Sequence, residues 1–287
     1  MAAAPGPLVE TDWLAAHLDD PELRIFDTTT HLIPDPTTVY TVESGRAGYD
    51  KGHIPGAGFL DLRGELSDPQ SDLRFTMPPA TQFEEAMSRH GVGAGTRVVL
   101  YSQTTMQWAT RVWWMLAAFG FDAAMVLNGG LGKWREEGCP LDTAPAAYPP
   151  ARFTARPRPQ LIAGRDEVLA ALGDDGCLVL NALSAEQHRG GGRHYGRPGR
   201  IAGSANVPAA ELLQGATGPY LPLEQIRERF REVGALDAAK VIAYCGGGIA
   251  ASSDAFLLRL LGHENVALYD NSLSEWVRDP ALPMETG

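Results

Sequence analysis

The chain has 287 residues, 44% of them hydrophobic, and a formal net charge of −11 spread along its length. That length suits two domains of ordinary size, each able to bury a core without metals or disulfides. The acidic balance argues against nucleic acid and anionic membranes, both of which need a basic surface, while a small anionic substrate stays open because a local cluster of arginines can overrule the global sign. Three scattered cysteines, Cys139, Cys177 and Cys245, do not read as a disulfide framework or a zinc site. The opening MAAAPGPLVE lacks the regions of a secretory signal. The apolar stretch from Ala109 to Leu127 is broken by Arg111, Gly120 and Asp122, so it reads as a buried helix and strand rather than a membrane span. A cytoplasmic protein is expected.

In chain order, DWLAAHLDDPELRIFD (12–27) predicts a helix and a strand, followed by the turn-rich GHIPGAGFLD (52–61). RVVLY (97–101) is a short apolar run that fits a buried strand. The helix after it places Trp108, Val112, Trp113 and Leu116 on one face, a pattern better suited to a core than to a cofactor site. MVLNGGLGKW (125–134) then reads as strand, turn and helix. The proline-rich DTAPAAYPPARFTARPRPQ (142–160) has little hydrophobic periodicity and reads as a semi-extended linker.

Beyond it the same order recurs. RDEVLAALGDDGCLVLN (165–181), GRIAGSANVP (199–208), KVIAY (240–244) and ALYDNSLSEW (267–276) answer the four earlier segments, at offsets of about 142 to 154 residues. Four pairs in one order imply duplication of a single unit. Short apolar strands alternating with amphipathic helices predict an α/β fold, each unit a mainly parallel sheet flanked by helices. The boundaries expected are 1–145 for the first domain, 146–160 for the linker and 161–287 for the second domain.

In a parallel sheet, sites form at the carboxyl ends of strands where helices begin, which points to VIAYCGGGIAASSDAFLLRLL (241–261). Cys245 follows the strand at once. Gly246, Gly247 and Gly248 can adopt backbone angles closed to other residues, so their N–H groups can turn inward together. Those amides and the helix N-terminus would surround the sulfur with positive partial charge, favouring a thiolate and holding an anion delivered to it. A buried structural thiol would need no such loop, and neither a Walker lysine nor Rossmann spacing accompanies the glycines.

The tandem layout and the loop CGGGIAAS, with HIPGA (53–57), RVWW (111–114), NGGLGKW (128–134) and YDNSLSEW (269–276), resemble the thiosulfate and 3-mercaptopyruvate sulfurtransferases, the tandem-domain rhodanese family. The resemblance covers nearly the whole chain. It implies two rhodanese-like domains and a ping-pong cycle. Cys245 takes a sulfane sulfur from thiosulfate or 3-mercaptopyruvate, becomes a persulfide, and passes the sulfur to cyanide, a thiol or a thioredoxin-like protein. It implies substrate contacts from Gly246, Gly247, Gly248, Ile249 and Ala250, and neither metal nor organic cofactor. Ser102 matches Cys245 in the first copy, which implies a first domain without chemistry of its own.

Several positions depart from the family pattern. Gly247 stands where mercaptopyruvate enzymes carry a serine, Arg63 and Phe75 where its Asp and His partners fall, and Asn181 where an aspartate is usual. The basic segment EQHRGGGRHYGRPGR (186–200) offers Arg189 and Arg193 as ligands for the donor anion, with His194, Arg197 and Arg200 as substitutes and Gln187 where a second arginine is expected. A phosphatase of the Cys-x5-Arg kind is disfavoured because Ala251 and Ser252 stand where its arginine is needed. The remaining alternatives are a tandem module that binds a partner or anion without turnover, and an enzyme specialised for a biosynthetic donor or acceptor.

Overall fold

A computed structural model describes residues 6–35, 39–144 and 146–287. Residues 1–5 of the opening segment, and position 145 at the expected domain boundary, lie outside the described residues. The first half contains β1 (Leu8–Val9), β2 (Leu23–Asp27), β3 (Thr30–Asp35), β4 (Val39–Ser44), β5 (Gly58–Phe59), β6 (Arg97–Tyr101) and β7 (Ala124–Leu127). The second contains β8 (Ile162–Ala163), β9 (Cys177–Asn181), β10 (Arg200–Ile201), β11 (Ala205–Asn206), β12 (Lys240–Tyr244), β13 (Val266–Tyr269) and β14 (Met284–Glu285). Two five-stranded parallel sheets result, ordered β1-β7-β6-β2-β5 and β11-β9-β12-β13-β8. Read from matching edges, these are one topology used twice.

The duplication extends to single hydrogen bonds. Thr28 N donates to Tyr101 O, and Ala182 N to Tyr244 O, both at 2.9 Å. The indole of Trp134 donates to Pro140 O at 2.7 Å, that of Trp276 to Pro283 O at 3.1 Å. Asn181 does the work of Asp27: each side chain accepts an amide two residues on, Thr29 or Leu183, and each meets the tyrosine that ends the neighbouring strand. The amide makes these contacts without a carboxyl whose charged form burial disfavours, as it does at Asp27.

What differs is the excursion between the second and third strands of each sheet. The first domain carries an antiparallel hairpin, β3 paired with β4. The second carries the glycine-rich basic segment.

The helices after β6 and β12, Gln107–Ala118 and Ala250–Leu260, pack against each other across the domain boundary. Residues 108–118 and 251–258 are accordingly all buried, so the single apolar face expected for each helix is replaced by burial against a sheet on one side and the partner helix on the other. Some polar groups caught in this seam are paired, although both carboxyl oxygens of the buried Asp254 lack a hydrogen-bond partner among the described residues. Thr110 and Ser252 hydroxyls lie 3.0 Å apart, and the Tyr220 phenol meets Ser253 at 2.7 Å. The proline-rich connection is extended but tied to the first domain. Phe153 is buried, and the amides of Ala151, Arg156 and Arg158 donate to Ser88, Phe119 and Ala118 carbonyls. No helix among the described residues is long and apolar enough to cross a membrane.

Candidate active site

Cys245 follows the carboxyl end of β12, in the middle of its sheet. Its loop is shaped by the neighbouring turn at 270–276. The Cys245 carbonyl accepts from Leu273 N at 3.1 Å, and the Gly246 carbonyl from Ser274 N at 2.9 Å and Ser274 Oγ at 2.6 Å. A trans peptide points its N–H opposite to its C=O, so the amides of Gly246 and Gly247 face away from that turn. Together with those of Ile249, Ala250 and Ala251 they make no hydrogen bond among the described residues, leaving an array of free donors at the start of the 250–260 helix. Gly248 differs from expectation: its N–H, with that of Cys245, is taken by Ser272 Oγ at 3.2 and 3.0 Å. The Gly248 amide therefore holds the loop closed and is not part of the inward array.

Ser272 is the residue that the sequence reading passed over. Its hydroxyl accepts those two amides and donates to Tyr269 O at 2.7 Å, and its backbone is left-handed at φ 51°. The matching residue of the first copy, Gly130, has φ 54°. A non-glycine residue in this conformation is uncommon and costs strain, here offset by three hydrogen bonds. The signal was present in the repeat, where serine replaces glycine.

Cys245 is 2% exposed, but it lines a cavity of about 410 Å³ between the domains. Gly246, Gly247, Ile249 and Ala250 line it as well, with Leu183 and Tyr195 from the second domain. The first domain contributes Thr30–Ile33 and Tyr40 from the hairpin, Phe75, Thr104 and Thr105 from the loop after β6, and Gln107 and Trp108 from the start of the helix that follows.

Arg189 and Arg193 do not line this cavity. Four left-handed glycines, Gly190, Gly192, Gly196 and Gly199, steer the segment, turning Tyr195 inward and leaving Arg189 and Arg193 exposed. Arg193 Nη1 donates to Val39 O at 2.8 Å. The suggested substitutes do not line it either: Arg197 holds the Asp279 and Leu282 carbonyls, Arg200 pairs with Glu285, and His194 is exposed. Gln187 donates to Arg193 O at 3.0 Å. Arg63 binds the Val42 carbonyl, whereas Phe75 does reach the cavity.

The phenol end of Tyr195 abuts the loop, so close that a methyl on Gly246 would fall 1.9 Å from its Cζ. Its ring meets Tyr40 edge to face at 6.3 Å, and Tyr40 carries the Arg74 guanidinium over its ring at 4.9 Å. Burial pushes both phenols above their ordinary range, so both stay protonated. Beneath the loop, Arg111 of the first domain is fully buried and pairs with Asp270 of the second, Nη1 to Oδ1 at 2.6 Å. The two meet as charges rather than through an aligned hydrogen bond. Arg111 Nη2 also donates to Phe75 O at 2.5 Å, and Asp270 Oδ2 accepts Met77 N at 2.8 Å.

At the matching position of the first domain, Ser102 is 1% exposed and its carbonyl accepts Leu131 N, as that of Cys245 accepts Leu273 N. The first two loop amides beyond it are occupied, Gln103 N by Thr29 Oγ1 and Thr104 N by Ser102 Oγ. Among the described residues no cluster of His, Cys, Asp or Glu is placed to hold a metal ion.

A doubly used five-stranded parallel sheet, with a cysteine on a glycine loop at the end of the central strand of one copy, defines a tandem rhodanese architecture. The family model described as rhodanese-like domain matches residues 10–137 and again 165–279, and the chain belongs to that family, among its tandem-domain sulfurtransferases. It is 31% identical to the 3-mercaptopyruvate sulfurtransferase of Escherichia coli K12 over 280 residues, spanning 96% of this chain and 97% of the relative. It is also 31% identical to the sulfur carrier protein TtuD of Thermus thermophilus, over 99% of this chain and 98% of that one. The crystal structure of SseA from Escherichia coli superposes with a TM-score of 0.79 at 30% identity, covering 94% of this chain and all of that one.

Proposed function

We propose that Cys245 is the sulfur-carrying nucleophile of a sulfurtransferase cycle that runs in the second domain. The observation that carries this is the array of unpaired amides, from Gly246, Gly247, Ile249, Ala250 and Ala251, on a loop whose cysteine lines the cavity. With thiosulfate, the Cys245 thiolate attacks the outer sulfur, the S–S bond breaks, and sulfite leaves with the electron pair. With 3-mercaptopyruvate the C–S bond breaks instead, and the leaving enolate of pyruvate takes the proton that the donor thiol gives up. In both cases the loop amides stabilise the developing negative charge. An acceptor then attacks the outer sulfur of the persulfide and returns the thiolate.

Among the described residues, no lysine or arginine lines the cavity. A dianion would have to be held by the loop amides and His31 with no lysine or arginine beside them, so the monoanionic 3-mercaptopyruvate is favoured over thiosulfate. The name of the Escherichia coli relative agrees with this. The other cysteines are poor candidates. Cys177 begins β9 at the opposite edge of the sheet and its thiol is raised by burial, and Cys139 packs against the outer core of the first domain. The first domain serves as wall and support, because Ser102 cannot form a persulfide. A cytoplasmic setting, where free thiols persist, suits this chemistry.

The test is a single-turnover assay: protein loaded with 3-mercaptopyruvate is freed of donor and mixed with cyanide, and thiocyanate is measured. Wild type should release one equivalent per chain and Cys245→Ser none. Release from Cys245→Ser would move the chemistry to another residue.

A further inference from the structure

The cavity over Cys245 is larger and less polar than the proposed donors require, and this bears on the second substrate. At about 410 Å³ it falls in the range that encloses a drug-sized molecule. The loop amides serve a donor anion at one wall. The remaining walls are mostly apolar, with Leu32, Ile33, Tyr40, Phe75, Trp108, Leu183 and Tyr195, and carry Thr30, His31, Thr104, Thr105 and Gln107 as their polar groups. No Asp, Glu, Lys or Arg is among the described residues that line it. Most of these walls come from the two features that distinguish the first domain: its hairpin insertion and its degenerate loop. The half that lacks a nucleophile thus supplies the surface that would judge what approaches the sulfur.

We propose that the sulfur acceptor is an uncharged small thiol bearing an aromatic or comparably bulky apolar group, seated against Trp108, Phe75 and the hairpin. This rests on the persulfide cycle proposed above. The acceptor thiolate attacks the outer sulfur of Cys245–S–SH, the inner S–S bond breaks with its electron pair returning to Cys245 Sγ, and the proton leaves with the acceptor as R–S–SH. A thiol with a carboxylate in place of the ring, seated away from the loop amides that receive the donor, would set that charge against Trp108 and Phe75 with no lysine or arginine to pair it.

The test uses the full chain, loaded with 3-mercaptopyruvate and checked for the added sulfur by intact mass. Discharge is then timed with 2-phenylethanethiol and with 3-mercaptopropionate at equal thiolate concentrations. The aromatic thiol should be faster by about tenfold or more, equivalent to about 1.4 kcal/mol. Thr105→Arg, which puts a cation in the wall, should shrink that ratio several-fold by speeding the anionic thiol. Ile33→Lys, at a position 41% exposed and so safe for folding, should act in the same direction. Equal or faster discharge by 3-mercaptopropionate in the wild type would overturn the inference, as would a ratio unmoved in both variants. Failure to load the added sulfur at all would instead overturn the Cys245 reading, and this inference with it.

Discussion

Replacing Arg111 with leucine removes one half of a buried ion pair that spans the two domains. Arg111 is 0% exposed and the Asp270 side chain 8%, and their closest approach is 2.6 Å. Breaking such a pair from one side typically costs about 3–5 kcal/mol, because the surviving charge stays buried without its partner. Asp270 keeps the amide of Met77 at 2.8 Å, which places the expected loss at the lower end, about 3 kcal/mol. At roughly 2–4 °C per kcal/mol for a chain of this size class, the melting temperature should fall by about 6–12 °C. Adding Asp270→Asn should recover most of this, since an amide still accepts from Met77 and carries no charge to desolvate. Loading of Cys245 should fall as well, because a methyl at Gly248 would lie within 3.0 Å of Arg111 Nη1, so loop and guanidinium are in contact. Thermal unfolding under identical buffers measures the first effect. A single variant within about 1 kcal/mol of wild type, or a double variant no better than the single, would refute the assignment of this pair as the bolt beneath the loop.

Other outcomes are expected from the same geometry. Gly248→Ala should destabilise the chain and lower sulfur loading, since Gly248 has φ 77° and its added methyl would sit 2.6 Å from Asp270 O; circular-dichroism melts and intact mass read both. Ser102→Cys placed in a Cys245→Ser background should restore no thiocyanate release, because residue 102 is buried away from the cavity and the Gln103 amide beside it is already held by Thr29. Arg193→Ala should leave kcat/KM within about twofold of wild type, its guanidinium being exposed and bonded to Val39 rather than placed in the cavity. His188 is depressed to about 4 from the ordinary 6.5, by burial first and then by Arg200 and Arg189. As pH falls through that window the unfolded chain takes up a proton that the folded chain refuses, so stability is full above 6.5 and drains away towards 4. Urea midpoints at pH 7 and pH 5 should therefore drop less in His188→Gln than in wild type.

The fold was legible because duplication writes the same instructions twice. RVVLY and KVIAY, and the two Trp-bearing turns, predict the same strands and helices, and the structure bonds them in the same way. The cysteine loop was legible because three glycines between a strand and a helix serve few purposes. Facing was not legible. The basic segment 186–200 offered Arg189 and Arg193 as donor ligands, but glycines at positive φ decide which side chain of such a loop turns inward, and they turned Tyr195. Contacts across the boundary were hidden for a related reason. Arg111 in RVWW and Asp270 in YDNSLSEW each stand in a recognisable motif, yet nothing in either motif says that the two meet. Phe75 lies in the left-handed region at φ 64°, which no propensity would assign to phenylalanine, and its carbonyl there accepts from Arg111.

The most direct measurement is to locate the transferred sulfur. After one exposure to 3-mercaptopyruvate, trapping with iodoacetamide and peptide mapping should find the alkylated persulfide on the peptide containing Cys245, with Cys139 and Cys177 carrying only the ordinary alkyl group. An extra sulfur on either of those two, or on none of the three while thiocyanate is still produced, would contradict the account.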